Sequence, residues 1–258
     1  MNLSFQLYSA REPGTREPGA WSGVLERIAA LGYTAVEGYA ALYEDPPALA
    51  RELAAHSLTM PSAHFSLDSL ENEPDASFAV ARALGVRTLY APSLPKQDRP
   101  TDAHGWRSVA RRLARLGERV AHEGFAFGWH NHDFELAPLA DGSVPLEILL
   151  GEAPGIGWEA DLAWIARAGA DPAAWIARHG SRATAVHVKD LAPEGECADE
   201  DGWADPGHGT MDWDALMSSL LADGRERLYI VEHDRPADVE RFARRAMRAS
   251  TRWTGAPA

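Results

Sequence analysis

Phe125-Ala126-Phe127-Gly128-Trp129-His130 is a short β-type run that ends in an imidazole, and it follows the longest helical pattern of the chain, Gly105 to His122. Val109, Leu113, Leu116 and Val120 recur on one face of that pattern, while Arg107, Arg111, Arg112 and Arg115 fall elsewhere. This is the reading of a helix laid on a core with a solvated basic side. The same couple of strand and helix repeats in both directions. Upstream lie the runs Leu3 to Tyr8, Thr34 to Glu37, Leu58 to Phe65 and Val86 to Ala91. Helical spacings alternate with them: Trp21, Val24, Leu25, Ile28 and Leu31, then Leu49, Leu53 and Ala54, then Phe78 to Leu84 closed by Gly85. Downstream, Val144 to Leu150 reads as helix and Ile156 to Asp161 as strand. Helical Leu162 to Ala168 and Pro172 to Arg178 follow, then strand Ala183 to Val188, helix Trp213 to Leu221, strand Arg227 to Glu232 and helix Val239 to Arg248. Eight such units predict one α/β domain, a (β/α)8 barrel over residues 1–258 with 251–258 as a fraying tail. A doubly wound sheet is the rival, but no G-x-G-x-x-G follows the first strand and there is no Walker loop.

The composition agrees with a single large core: 258 residues, 45% of them hydrophobic. A charged fraction of 24% excludes a globally disordered chain. Lys and Arg number 25 against 38 Asp and Glu, a net charge of −13, which disfavours nucleic acid and anionic membrane surfaces as partners. The single Cys197 excludes an internal disulfide framework and any cysteine-rich metal site. No apolar run approaches the roughly 20 residues of a membrane span. Met1-Asn2-Leu3-Ser4-Phe5 has no basic segment leading into a long apolar stretch, so a cytoplasmic location is expected.

In a (β/α)8 barrel the chemistry sits where the strands end. Strand two ends at Glu37, strand three at His64, and strand five at His130 with His132 just beyond. Strand six ends at Asp161, strand seven at His187 with Lys189 and Asp190, and strand eight at Glu232 with His233. One such group in an apolar ring costs several kcal/mol unless paired. So many together point to a shared partner, and a divalent cation fits. Oxygen and imidazole donors without thiolate suit Mn²⁺, Mg²⁺, Co²⁺ or Zn²⁺. His187 and Lys189 share a face by strand alternation, and Lys189 reads either as a substrate contact or as a salt-bridge partner of Asp190 or Glu159. Trp21, Trp106, Trp158 and Trp175 read as packing. Trp129, Trp164 and Trp203 are candidates for a surface on which a ligand stacks. Glu194 to Asp205 reads as an acidic loop or lid, and Gly207-His208-Gly209 as a place where backbone could approach a ligand.

Glu37, Ser62-Ala63-His64, Trp129-His130-Asn131-His132-Asp133-Phe134-Glu135, Asp161 with Trp164 and Gly169, His187-Val188-Lys189-Asp190, Gly207-His208-Gly209 and Val231-Glu232 come in the order of a known family. Over nearly its whole length the chain resembles the xylose isomerase-like TIM-barrel superfamily, in its sugar phosphate isomerase/epimerase group. The resemblance implies one divalent metal held by Asp161, His187 and Glu232. It implies a fourth ligand from the region of strand five, where either His130 or Glu135 stands in for the usual glutamate; Glu135 adds a third carboxylate to balance the ion. It further implies Glu232 or Glu135 as the proton-transferring base, and Glu37, His64, His130, His132, Trp164, Lys189 and His208 as substrate contacts. Trp164 stands where many relatives carry a histidine. The implied activity is isomerisation or epimerisation of a keto sugar or keto-inositol through an enediolate. A dehydratase, a lyase on oxidised glycosides or a non-catalytic sugar-binding barrel are the alternatives, and a homo-oligomer is compatible with the sequence. An endonuclease IV-like nuclease is disfavoured by the charge and by Tyr90-Ala91-Pro92 where a histidine is expected.

Overall fold

The computed structural model describes residues 2–14 and 19–254. Its barrel strands, numbered in chain order, are β1 (Asn2–Gln6), β2 (Ala35–Gly38), β3 (Thr59–His64), β4 (Thr88–Ala91), β5 (Ala126–His130), β6 (Gly157–Asp161), β7 (Ala183–Val188) and β8 (Leu228–Val231). Each pairs in parallel with its neighbours, and β1 pairs with both β8 and β2, so the sheet closes on itself without a free edge. Parallel neighbours require crossover connections, and helices supply them. Their starts are written locally. Asp45 and Asp171 stand before Pro46 and Pro172, and their carboxylates accept from the N–H of Ala48 and Ala173, each at 2.9 Å. Asp102 does the same for Gly105 at 2.7 Å, at the head of the helix Ala103–His122.

Strand side chains alternate between two destinations. Outward positions such as Phe5, Val36, Leu89, Trp129, Trp158 and Val186 are buried in the core beneath the helices. Inward positions are different. Tyr90, Ala185 and Ile230, with Leu228, form a small apolar cluster apart from the main core. The Tyr90 ring has room because Gly128 stands opposite: a Cβ there would lie 2.5 Å from it. Two residues further along β7 and β8 come His187 and Glu232, so the barrel interior turns polar toward its C-terminal rim.

The first strand stops at Gln6 rather than Tyr8. The Gln6 side-chain oxygen accepts from the Tyr8 N–H at 3.1 Å and starts a 3-10 turn, Leu7–Ala10. The last helix runs on to Thr254, past the expected end, because Trp253 is buried and donates to Asp214 at 2.7 Å. Of the expected tail, 251–254 is therefore helical, and 255–258 lies outside the described residues. The acidic loop after β7 is pinned by a short antiparallel ladder, Asp190–Leu191 with Trp203–Ala204.

Candidate metal centre and active-site cavity

β7 and β8 present His187 and Glu232 side by side: Nδ1 of His187 lies 2.9 Å from a Glu232 oxygen and 4.0 Å from Oδ2 of Asp161, the last residue of β6. One donor atom from each of these three lies within 4.8 Å of the others, a spacing a single cation can span. Oδ2 of Asp161 is buried and makes no hydrogen bond, its nearest cation being the Lys189 ammonium at 3.4 Å. The donor set, two carboxylates and an imidazole, suits a divalent metal. The backbone at Asp161 is fixed from behind. Asn131 donates to its carbonyl at 3.1 Å and accepts from its N–H at 3.1 Å and from the Trp158 indole at 2.8 Å.

The other nitrogen of His187, Nε2, faces Glu37 at 2.9 Å. Glu37 is also bound by the Gln6 amide at 2.7 Å. His64 lies 2.6 Å from Glu159, and Nδ1 of His130 lies 3.1 Å from the same Glu159 oxygen. Lys189 sits on the opposite side, with Nζ 2.6 Å from Asp234, 3.2 Å from Glu232 and 3.4 Å from Asp161. Trp164 and Trp203 lie over the ammonium at 5.0 and 4.4 Å.

These contacts set the charge states. Burial raises Glu232, but Lys189 and His187 outweigh it and hold the carboxyl well below its ordinary range. Burial pushes Asp161 up to about 6. Burial likewise pulls His132 down to about 3, leaving it neutral, and lowers His130 well below the usual imidazole value. For His64 the carboxylates of Glu37 and Glu159 prevail over burial and push it up to about 10.

A cavity of about 480 Å³ opens above this cluster. His64, His130, His132 and Glu232 reach it from the barrel, Trp164 and Asp234 flank it, and Tyr8, Tyr39, Ser66 and Ser93 complete the wall. The volume and the aromatic-plus-polar lining are those of a small-molecule site.

Of the anticipated substrate contacts, Glu37, Lys189 and His208 do not line the cavity, and neither does Glu135: Glu37 and Lys189 are buried among the charged groups beneath it, and Glu135 and His208 lie apart from them. Glu135 is fully buried on a 3-10 turn; its oxygens accept from the Trp129 indole at 3.0 Å and from the His132 N–H at 2.9 Å. Both oxygens are used to hold the loop, so Glu135 lies in neither group of metal-spaced donors and does not line the cavity. His208 is exposed on its loop. There the glycines bring backbone to a carboxylate of the chain itself: Gly207 and Gly209 donate to Asp190 at 2.9 and 3.1 Å, and a Cβ on Gly209 would lie 2.3 Å from Asp190. Trp129 and Trp203 are buried, and of the three candidate stacking tryptophans Trp164 alone lines the cavity. Lys189 pairs with Asp234 rather than Asp190. Glu159 was singled out in the sequence only as a salt-bridge partner of Lys189, although its place two residues before Asp161 puts both on one face of β6. Gln6 and Asp234 carried no signal of their own.

Sequence and structure comparisons agree with this architecture. The family model for the xylose isomerase-like TIM barrel matches residues 25–254, and the chain belongs to that family. Among its relatives, the rhizopine catabolism protein MocC of Rhizobium meliloti is 26% identical over 238 residues, covering 81% of this chain and 73% of its own. A sugar phosphate isomerase/epimerase from Parabacteroides distasonis superposes with a TM-score of 0.77 at 18% identity, over 96% of this chain and 94% of that one. The IolI protein, whose crystal structure carries a zinc atom, superposes with a TM-score of 0.74 at 17% identity, over 99% and 98%. Among the described residues no helix is long and apolar enough to cross a membrane.

Proposed function

We propose that the protein is a divalent-metal-dependent sugar isomerase or epimerase that moves a proton next to the carbonyl of a keto sugar or keto-inositol. The observation that carries this reading is the convergence of Asp161, His187 and Glu232 at a spacing one cation can span, beneath a cavity of sugar size. Asp161, His187 and Glu232 would hold the ion, which when bound supplies a Lewis acid for a carbonyl and its neighbouring hydroxyl. Of the three grouped residues Glu232 alone lines the cavity, so it is the carboxylate placed to take the α-proton. Neutral His132 and His130 offer each hydroxyl one donor or one acceptor. Trp164 gives an apolar face against which a sugar ring can lie, and Lys189 beneath it fixes the charge balance. Return of the proton to the other face of the same carbon yields an epimer, to the neighbouring carbon an isomer; loss of hydroxide instead makes a dehydratase.

The test is solvent deuterium incorporation at the α-carbon across a panel of keto sugars and inososes, with product analysis, before and after metal removal. Metal-dependent exchange is expected. Binding of these compounds without any exchange or turnover would replace the enzyme with a sugar-binding barrel.

A further inference from the structure

The loop after β7 puts a carboxylate on the cavity wall that the proposed reaction does not use. Asp201 lines the cavity. Its side chain is 58% exposed where that of Glu232 is 6% exposed, so Asp201 stands at the mouth and Glu232 on the floor. Its backbone is left-handed, with φ 59°, a conformation that glycine takes without cost and that aspartate is among the few other residues to tolerate. The residues on both sides hold it there. Glu200 accepts from the Ala237 N–H at 2.5 Å and pairs with Arg241 at 2.6 Å, and the Gly202 carbonyl accepts from the Ala192 N–H at 3.0 Å. A turn alone would be served better by glycine, so what this position keeps is the carboxylate.

Only half of that carboxylate is used. Arg167, whose guanidinium lies 4.4 Å from the Trp203 ring, donates to Oδ2 at 3.1 Å. Among the described residues nothing donates to Oδ1, and a carboxylate can only accept, so Oδ1 is open to a donor from the cavity. The rest of the lining offers no counter-site for an anion. Among the described residues no Arg or Lys side chain lines the cavity, Asp234 is a second carboxylate in its wall, and His64 is already matched by Glu37 and Glu159 at 3.3 and 2.6 Å. A phosphate or carboxylate group entering past Asp201 would give up its water to meet like charge, whereas a sugar hydroxyl would donate to the same oxygens.

We propose that Asp201 determines specificity: it accepts hydroxyl groups at the mouth of the cavity and so selects an uncharged polyol over substrates that carry phosphate or carboxylate. The inference rests on the proposed function and names the substrate class of that same site.

The probes are free D-fructose, scyllo-inosose and the monophosphate of D-fructose. Their binding to wild type, Asp201→Asn and Asp201→Gly is read from tryptophan fluorescence, since Trp164 lines the cavity, and their α-proton exchange is followed in parallel. In the wild type the phosphate ester is expected to bind at least about 10-fold more weakly than the free compounds. Asp201→Asn is expected to weaken the free compounds about 10-fold, with the loss falling on KM rather than kcat, and to narrow the gap to the phosphate ester. Asp201→Gly takes the left-handed turn without strain, so it should melt near the wild-type temperature and lose affinity to the same extent. Equal wild-type affinity for free and phosphorylated compounds overturns the proposal and leaves proton transfer standing. Unchanged KM and affinity in both variants do the same. Binding that follows the expected pattern with no exchange supports the role of Asp201 and removes the proposed reaction, and binding of neither class overturns both.

Discussion

Two buried cations sit at opposite ends of the barrel, and they are treated differently. Arg227, at the N-terminal end just before β8, donates to the carbonyls of Ala183, Leu220 and Gly180 at 3.0, 2.6 and 2.9 Å and to Asp223. Every donor reaches an acceptor of fixed position, which is what a closing brace requires. Lys189, at the C-terminal end, faces three carboxylates at 2.6 to 3.4 Å and two indole rings. At this end Glu37, Glu159 and His132 each keep a buried polar atom without a hydrogen-bond partner. Native interiors pair their polar groups, so an end with several orphans is built for something that arrives from outside. Within one fold, the satisfied end stabilises and the unsatisfied end is left for a ligand.

The comparison can be broken at its strongest point first. Glu232→Gln is expected to lower kcat by about 10³-fold with the folded state intact, since it removes the carboxylate facing the cavity. A variant with near-wild-type turnover would remove the rim end from the chemistry. The opposite-end change, Arg227→Met, strands three carbonyls and a carboxylate. It is expected to cost about 3 kcal/mol in urea unfolding while leaving turnover per folded molecule unchanged. A loss of turnover with unchanged stability would reverse the assignment of the two ends.

Glu135 sharpens the boundary between them. Burial pushes its carboxyl up to about 8 from an ordinary 4.5, so the folded chain keeps a proton there that the unfolded chain has already released. Stability from this group is present at low pH and is lost as pH rises through that window. Glu135→Gln is expected to flatten the fall in stability between about pH 5 and about pH 8, by up to about 1.4 kcal/mol per pH unit. An unchanged slope would show that the Trp129 and His132 N–H groups hold it ionised. The smallest effect is expected where both partners are solvated. Arg82 and Glu123 pair at 2.5 Å, 54% and 36% exposed, and Arg82→Ala should shift stability by less than about 0.5 kcal/mol.

How far the chain could be read without coordinates follows from the range of the forces involved. Helical spacing and short strands ending in His, Asp or Glu are local, and from them the barrel, Asp161, His187, Glu232 and the three cavity-lining histidines, His64, His130 and His132, were legible. Glu159 shares a face of β6 with Asp161, but only barrel closure shows that it meets His64 across the interior. The direction in which Glu135 turns was equally hidden, because it depends on the Trp129 indole and the His132 N–H competing for its oxygens. The last helix outran its pattern because Trp253 found Asp214, a partner distant in sequence. By itself, then, the sequence determined the repeating strand–helix order and the kinds of side chain at each strand end, since both depend on residues a few positions apart. Which of those side chains meet, and which are left without a partner, was decided only when the sheet closed and brought residues as far apart as Glu37 and His187 to 2.9 Å.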